Sequence, residues 1–94
     1  MIMSDKRGLQ IIAKNEIGVL RDITSIIANY KGNITYAQTF IIEHGEYRGN
    51  SLIYFEIEGG EFESMVEDIK KLETVVEIEE EAPFERIFGK RVII

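Results

Sequence analysis

The residues best suited to bind a small molecule form one short turn. Asn15-Glu16-Ile17-Gly18 follows an alternating apolar stretch and precedes the apolar pair Val19-Leu20, where the spacing becomes helical. A helix N-terminus presents unpaired N–H groups and the positive end of the helix dipole, both of which favour a carboxylate. Gly18 lets the backbone approach a ligand closely, and the Asn15 amide both donates and accepts hydrogen bonds. Together these groups suit the zwitterionic head of an amino acid.

The same residues also have purely structural interpretations. Asparagine before a helix commonly caps it, and Gly18 is required if helix and strand pack closely. Asn33 follows Lys31-Gly32, and it either adds a second amide to the site from a neighbouring strand or satisfies backbone groups after the helix. These roles are compatible with binding, so the sequence leaves both open.

Six elements are predicted to position the turn. Alternating spacing indicates strands at Gly8–Lys14, Asn33–Glu43, Ser51–Glu58 and Thr74–Glu80, and helical spacing indicates helices at Val19–Tyr30 and Phe62–Leu72. We expect Gly32 to take the left-handed conformation that ends the first helix. The order βαββαβ is that of an α+β ferredoxin-like sandwich, a four-stranded antiparallel sheet with two helices on one face.

The hydrophobic pattern also predicts which side chains face the helices and which do not. The first helix carries an apolar stripe that we expect to be buried: Val19, Leu20, Ile23, Ile26, Ile27 and Tyr30. On the strands, the side chains expected to face inward include Ile53, Phe55, Ile57, Val76 and Ile78. Pointing away from the helices are Ile12, Leu52, Tyr54 and some of Tyr36, Phe40 and Ile42. Such a patch is typically covered, so we expect a homodimer, a higher homo-oligomer or packing on another domain.

The domain is predicted to span residues 8–81, followed by a different segment at 82–94. Ala82-Pro83 interrupts the pattern, and residues 84–94 are again apolar and strand-like. Two interpretations stay open. The segment is either a linker and the start of a further domain in a longer protein, or an extra edge strand or swapped arm.

Two motifs at these positions resemble landmarks of the ACT domain family. Residues Gly8–Leu20 are similar to its opening: an apolar strand, an acidic residue or asparagine, two variable residues, a glycine and an apolar pair. Lys31-Gly32-Asn33-Ile34-Thr35 is similar to the family's glycine followed by Asn-Ile at the start of the next strand. The resemblance covers about Gly8 to Glu80. Two departures are Ile17, where the family often has proline, and Asn15, where it often has an acidic residue.

The resemblance implies a regulatory domain that binds a small effector, commonly an amino acid, where two such domains meet. The ligand-binding residues it implies are Asn15, Glu16, Ile17, Gly18, Val19, Leu20, Asn33 and Ile34. A purely structural dimerisation module without ligand is the alternative, because many ACT-like domains serve only that role.

Composition argues against several other classes. With 17 acidic and 11 basic residues the net charge is −6, which disfavours nucleic acid, including single-stranded RNA stacked on exposed aromatics. Cysteine is absent and the single histidine, His44, lies in a loop, so neither catalysis nor a transition-metal site is supported. Acylphosphatases share the element order, but they place an arginine in the first turn, where this chain has no basic residue. We therefore expect no enzyme and no cofactor.

Two further expectations concern location. No apolar run approaches the roughly 20 residues that cross a bilayer. The N-terminal residues lack the apolar core of a signal peptide. The sequence therefore favours a cytoplasmic protein without a membrane partner.

Overall fold

A computed structural model describes residues 6–83 of the chain. The strands are β1 (Lys6–Ala13), β2 (Asn33–Ile41), β3 (Ser51–Glu58) and β4 (Val75–Glu81), and the helices are α1 (Val19–Asn29) and α2 (Phe62–Lys70). The predicted βαββαβ order is confirmed, with shifts of one or two residues at several element ends. Apart from Ala82 and Pro83, the segment predicted at 82–94 lies outside the described residues.

One antiparallel sheet forms the base of the domain, and the order of its strands in space differs from their order in the chain. Its strand order is β2-β3-β1-β4, so the two central strands are β3 and β1. Both helices pack on the same side of this sheet, which confirms the ferredoxin-like fold. The core between them consists of large, fully buried side chains: Leu9, Ile11, Ile23, Ile27, Phe55, Ile57, Met65 and Ile69. Burying each such side chain contributes about 1.5–3 kcal/mol, so this layer dominates stability.

Strand β4 departs from strict alternation. The sequence pattern places Val76 inward, but its side chain is 44% exposed, and Val75 packs against the core instead. The cause is a register shift: Ile12 pairs with Glu77, whereas Ala13 pairs with Val75. One extra residue on β4 therefore lies opposite this step of β1, and a β-bulge of this kind moves the following side chains to the other face. Ile78 packs against the core as predicted.

The end of α1 also differs from the prediction. Lys31, and not Gly32, adopts the left-handed conformation, with φ of 68°. Gly32 is required for another reason, which is close packing. A β-carbon at this position would lie 2.5 Å from Cε of Met65 and 2.9 Å from Cγ2 of both Ile27 and Ile57. The glycine thus lets the start of β2 approach α1, α2 and β3 together.

Polar side chains tie the layers together at their margins. The Arg7 guanidinium lies 4.2 Å from the ring centroid of Phe62 in α2, and its Nε donates to Glu80 of β4 over 2.8 Å. That hydrogen bond raises the pKa of Arg7. At the other helix, the Tyr30 hydroxyl donates to Asp68 of α2 over 2.7 Å, which raises the pKa of Tyr30. The Arg7 contacts thus join α2 to the sheet, and the Tyr30 hydrogen bond joins the end of α1 to α2.

The other side of the sheet has no helix over it, as predicted. We call it the helix-free face; its apolar part consists of Ile12, Tyr36, Phe40, Leu52 and Tyr54. Tyr36 and Tyr54 meet edge to face, with 6.1 Å between ring centroids. Tyr36 and Phe40 are 40% and 51% exposed, so the patch is open where it reaches β2. Within residues 6–83, no helix has the length and apolarity needed to span a membrane.

The contrast between Lys31 and Gly32 gives a direct test. We expect Gly32→Ala to lower the free energy of unfolding by about 1–3 kcal/mol, because its methyl group overpacks three core side chains. Lys31→Gly should raise that free energy by about 0.5–1 kcal/mol, because glycine adopts positive φ without steric cost. Urea unfolding of both variants measures these two changes in the free energy of unfolding. If Gly32→Ala were neutral and Lys31→Gly destabilising, the assignment of the two roles would be wrong.

Candidate functional site

The turn after β1 is built from three backbone hydrogen bonds. The Lys14 amide donates to Thr74 O over 2.8 Å, which fixes the end of β1 against the start of β4. The Glu16 amide then donates to Lys14 O over 2.9 Å, and the Val19 amide to Glu16 O over 3.3 Å. Gly18 has φ of 89° and ψ of −10°, the values of the third residue in a type II turn. That position requires a glycine, so packing is not the reason for Gly18.

Helix α1 begins without a side-chain cap. Gly18 is the N-cap residue and has no side chain to offer, and the first helical bond runs from the Asp22 amide to Gly18 O over 2.9 Å. Within residues 6–83, no oxygen accepts a hydrogen bond from the amides of Leu20 or Arg21. Two donors at the positive end of the helix dipole are therefore open, which is the arrangement that binds anions at helix N-termini.

Asn15 does not cap the helix. Its Oδ1 accepts a hydrogen bond from the hydroxyl of Ser51, the first residue of β3, over 3.4 Å. Ser51 is only 9% exposed, whereas Asn15 is exposed, so the contact anchors the amide at the edge of the site. The hydrogen bond uses the amide oxygen, and the amide nitrogen carries two further donor hydrogens.

Two apolar side chains beside the turn face solvent. Ile17 is fully exposed (104%), and Leu20 is 46% exposed although the helical stripe predicts its burial. Leu20 lies in the first turn of α1, where the helix overhangs β2, and it borders an apolar groove together with Ala37 and Thr39. Val19 is buried in the core and anchors this end of the helix. Exposed apolar side chains next to open amides make a surface that can hold a small amphipathic molecule.

Asn33 lies far from the turn. The sequence interpretation put it on a strand neighbouring β1, but β3 separates β1 from β2. Ala13, next to the turn, pairs with Ser51, which pairs with Ile41 at the end of β2. Asn33 begins β2 and pairs with Glu58, at the opposite end of the sheet. Within one chain, residues 15–20 therefore come together, and Asn33 does not join them.

Ile34 has an intermediate position. It is half-buried, packs against the core and borders the same apolar groove as Leu20. The groove runs between α1 and β2 and so connects the two groups of predicted site residues along one surface.

Arg21 is a site residue that the sequence analysis missed. Its guanidinium lies against Gly18, with Nη2 3.0 Å from where a β-carbon of that residue would be. The side chain is 77% exposed and lies 3.4 Å from the Asp22 carboxylate. A cation beside the open amides strengthens the attraction for a carboxylate. Its position three residues after the turn glycine, in the first helical turn, is the signal that could have found it.

Fold and turn together define a small ferredoxin-like domain in which a helix without a side-chain cap begins after a glycine turn. The sequence pattern described as the AHAS small subunit-like ACT domain matches residues 9–77. The chain therefore belongs to the ACT domain family, whose members are regulatory and non-catalytic modules.

Two relatives and one solved structure are similar to the chain. The chain is 66% identical over 88 residues to an uncharacterized protein of Archaeoglobus fulgidus and 39% identical to one of Methanocaldococcus jannaschii. It spans only 40% and 39% of their lengths. The acetolactate synthase small subunit of Thermotoga maritima has the same fold, with a TM-score of 0.68 at 20% identity, over 86% of this chain and 50% of that one.

The turn type predicts the effect of restoring the family's proline. We expect Ile17→Pro to raise the free energy of unfolding by about 0.4–1 kcal/mol, because the second position of a type II turn suits proline. Ile17→Ala should be nearly neutral. Gly18→Ala should cost about 1–2 kcal/mol because it forces a left-handed φ on alanine. Denaturant titrations compare the three, and destabilisation by Ile17→Pro would rule out the type II assignment.

Proposed function

We propose that this domain senses an amino acid or a closely similar small molecule at the turn of residues 15–20. The observation that carries the proposal is the pair of open amides of Leu20 and Arg21 next to Gly18. They match a ligand carboxylate, and the Arg21 guanidinium adds charge. The Asn15 amide is placed for the ligand's other polar atoms, and the exposed side chains of Ile17 and Leu20 offer contact to an apolar side chain.

A second copy of the chain completes the site in this proposal. The sheet has two edges, and they differ in charge. β2 carries no charged residue and is exposed along nearly its whole length, whereas β4 carries Glu77, Glu79, Glu80 and Glu81. Charged side chains on an edge oppose pairing with another strand. A second copy is therefore expected to pair through β2, which extends the sheet across a two-fold axis.

The two-fold axis of this proposed dimer would bring Asn33 of one copy to the turn of the other. Antiparallel pairing of two β2 strands sets the start of one strand beside the end of the other. Because the turn of residues 15–20 lies at the Ile41 end of the sheet, Asn33 and Ile34 of the second copy come to that end. The site would then consist of the turn and Leu20 from one copy and Asn33 and Ile34 from the other. Seven of the eight residues implied by the family resemblance border the site in this arrangement, and the eighth, Val19, is buried in the core beneath the start of α1.

Regulation follows from mass action. A ligand that contacts both copies stabilises one arrangement of the dimer, and the shift is limited by its differential affinity for the two arrangements. In a longer protein of the kind its relatives represent, this shift would pass to the remaining part of the chain. Because free amino acids are metabolites of the cytoplasm, that compartment is the one we propose.

Thermal unfolding in the presence of each of the twenty amino acids tests the site. A ligand at 100 times its dissociation constant adds about 2.7 kcal/mol to the free energy of unfolding, and the melting temperature rises accordingly. We expect Asn15→Ala and Asn33→Ala to abolish the rise, and Glu67→Ala, on the exposed side of α2, to leave it unchanged. If no amino acid raises the melting temperature, the domain is instead a dimerisation module without ligand.

Mixing the two variants locates the site between the copies. In an Asn15→Ala dimer or an Asn33→Ala dimer every shared site lacks one amide. After subunit exchange, each mixed dimer has one intact site, so about a quarter of all sites should bind again. Calorimetric titration of the mixture measures this recovery. Binding that stays absent after confirmed exchange would mean that the site does not combine the two copies.

The choice of edge is tested separately by charge. We expect Ala37→Glu, on β2, to convert the dimer to a monomer, because the carboxylate is set against the paired strand. Val76→Glu, on the β4 edge at a similarly exposed position, should leave the dimer intact. Sedimentation equilibrium distinguishes the two states. A monomer in the Val76→Glu variant alone would assign the interface to β4.

A further inference from the structure

The helix-free face combines apolar and acidic side chains. On β4, Glu77, Glu79 and Glu81 pair with Ile12, Gln10 and Gly8, and so they share one side of the sheet. Glu56 of β3 is on the same side. A row of carboxylates thus borders the aromatic patch of Tyr36, Phe40 and Tyr54.

Glu56 is a buried member of this group of carboxylates. It is 5% exposed and accepts a hydrogen bond from the Tyr54 hydroxyl over 2.8 Å, on a face that neither helix covers. The tyrosine holds this carboxylate in place beside the aromatic patch.

The chain leaves the sheet at this patch. β4 ends at Glu81, and Glu81 and Ala82 line an open groove on the helix-free face together with Phe40, Leu52 and Tyr54. Pro83 is buried. A segment that continues from Pro83 starts beside the groove. Its docking there would cost little chain entropy, because no long loop has to be closed.

We propose that the helix-free face is a docking surface for residues 84–94 of the same chain. This segment lies outside the described residues, and its sequence complements the face. It carries Arg86, Lys90 and Arg91 against one acid, Glu85, and its other side chains are mainly apolar, with two phenylalanines and four β-branched residues. Apolar side chains suit the aromatic patch, and the basic ones suit the carboxylate row.

Length and charge both favour this occupant. Eleven extended residues reach about 36 Å, more than the roughly 26 Å of an eight-residue strand such as β3, so the segment can cross the whole face. The helix-free face of a second copy is a poorer match. It would bring two carboxylate rows together, and like charges brought together in an interface oppose association.

Disulfide trapping in the full chain tests the proposal, because the sequence contains no cysteine. One cysteine is placed on the helix-free face (Gln38→Cys), and one in the segment (Phe88→Cys, or Val92→Cys in a second variant). The control pairs the same segment cysteines with Ser25→Cys, which is exposed on α1 on the other side of the sheet. Non-reducing electrophoresis and mass spectrometry separate bonds within a chain from bonds between chains.

We expect an intrachain disulfide with Gln38→Cys to form at least about tenfold faster than with Ser25→Cys, because docking raises the effective concentration of the two thiols. Equal rates for the two pairs, or disulfides only between chains, would overturn the proposal. This result is independent of ligand binding, so it does not depend on the proposed function.

A charge exchange gives a second readout. Glu79→Lys should slow the Gln38 disulfide severalfold, and adding Lys90→Glu should restore it. Glu67→Lys, on the exposed side of α2, is the matched control and should have no effect. A disulfide rate that is the same in all these variants would mean that charge complementarity does not position the segment, and the docking proposal would fail in this form.

Discussion

Two short helices have to cover one side of a four-stranded sheet, and most features of this domain depend on that constraint. Helices α1 and α2 have eleven and nine residues, and they bury the inward side chains of β1 and β3 completely. β2 receives much less cover: every residue of the strand except Ile34 is exposed. Within residues 6–83, the surfaces without cover are the groove between α1 and β2, the β2 edge of the sheet and the helix-free face. The surfaces proposed for ligand, second copy and C-terminal segment are thus what the two helices leave open.

The candidate site depends on the same constraint through the start of α1. The chain must turn sharply from the end of β1 to lie back across the sheet, and a type II turn with Gly18 at its third position does this in few residues. Since the N-cap residue is a glycine, no side chain occupies the first amides of the helix. Within residues 6–83, the turn that makes the fold possible therefore also leaves the first helical amides without a side-chain cap, and the proposed binding of a carboxylate depends on the same glycine.

Much of the fold follows from the sequence because the apolar spacing changes clearly between strands and helices. The sequence-based predictions fail where contacts with distant parts of the chain determine the position of a residue. Val76 is exposed because a bulge against β1 shifts β4, and no pattern within β4 reveals its partner's register. Gly32 is fixed by side chains from three other elements, which a capping rule does not include. Leu20 continues the helical stripe, but the sheet beneath it ends in an edge strand.

Which candidate site residues lie close together was predictable in part for a similar reason. Residues 15–20 are contiguous, so their types and order were sufficient to group them. The position of Asn33 depends on strand order, which places β3 between β1 and β2. Arg21 was overlooked because its role depends on where its long side chain folds back, not on its place in the helix.

The charge difference between the two sheet edges has a consequence for how far assembly can proceed. A sheet with two neutral edges can add strands at both ends without limit, and it then grows into fibres. Within the described chain, one edge is neutral and the other carries four glutamates in seven residues. In the proposed association through β2, each copy uses its neutral edge and only acidic edges stay outside, so growth would end at two chains. The glutamates of β4 would then prevent further polymerisation.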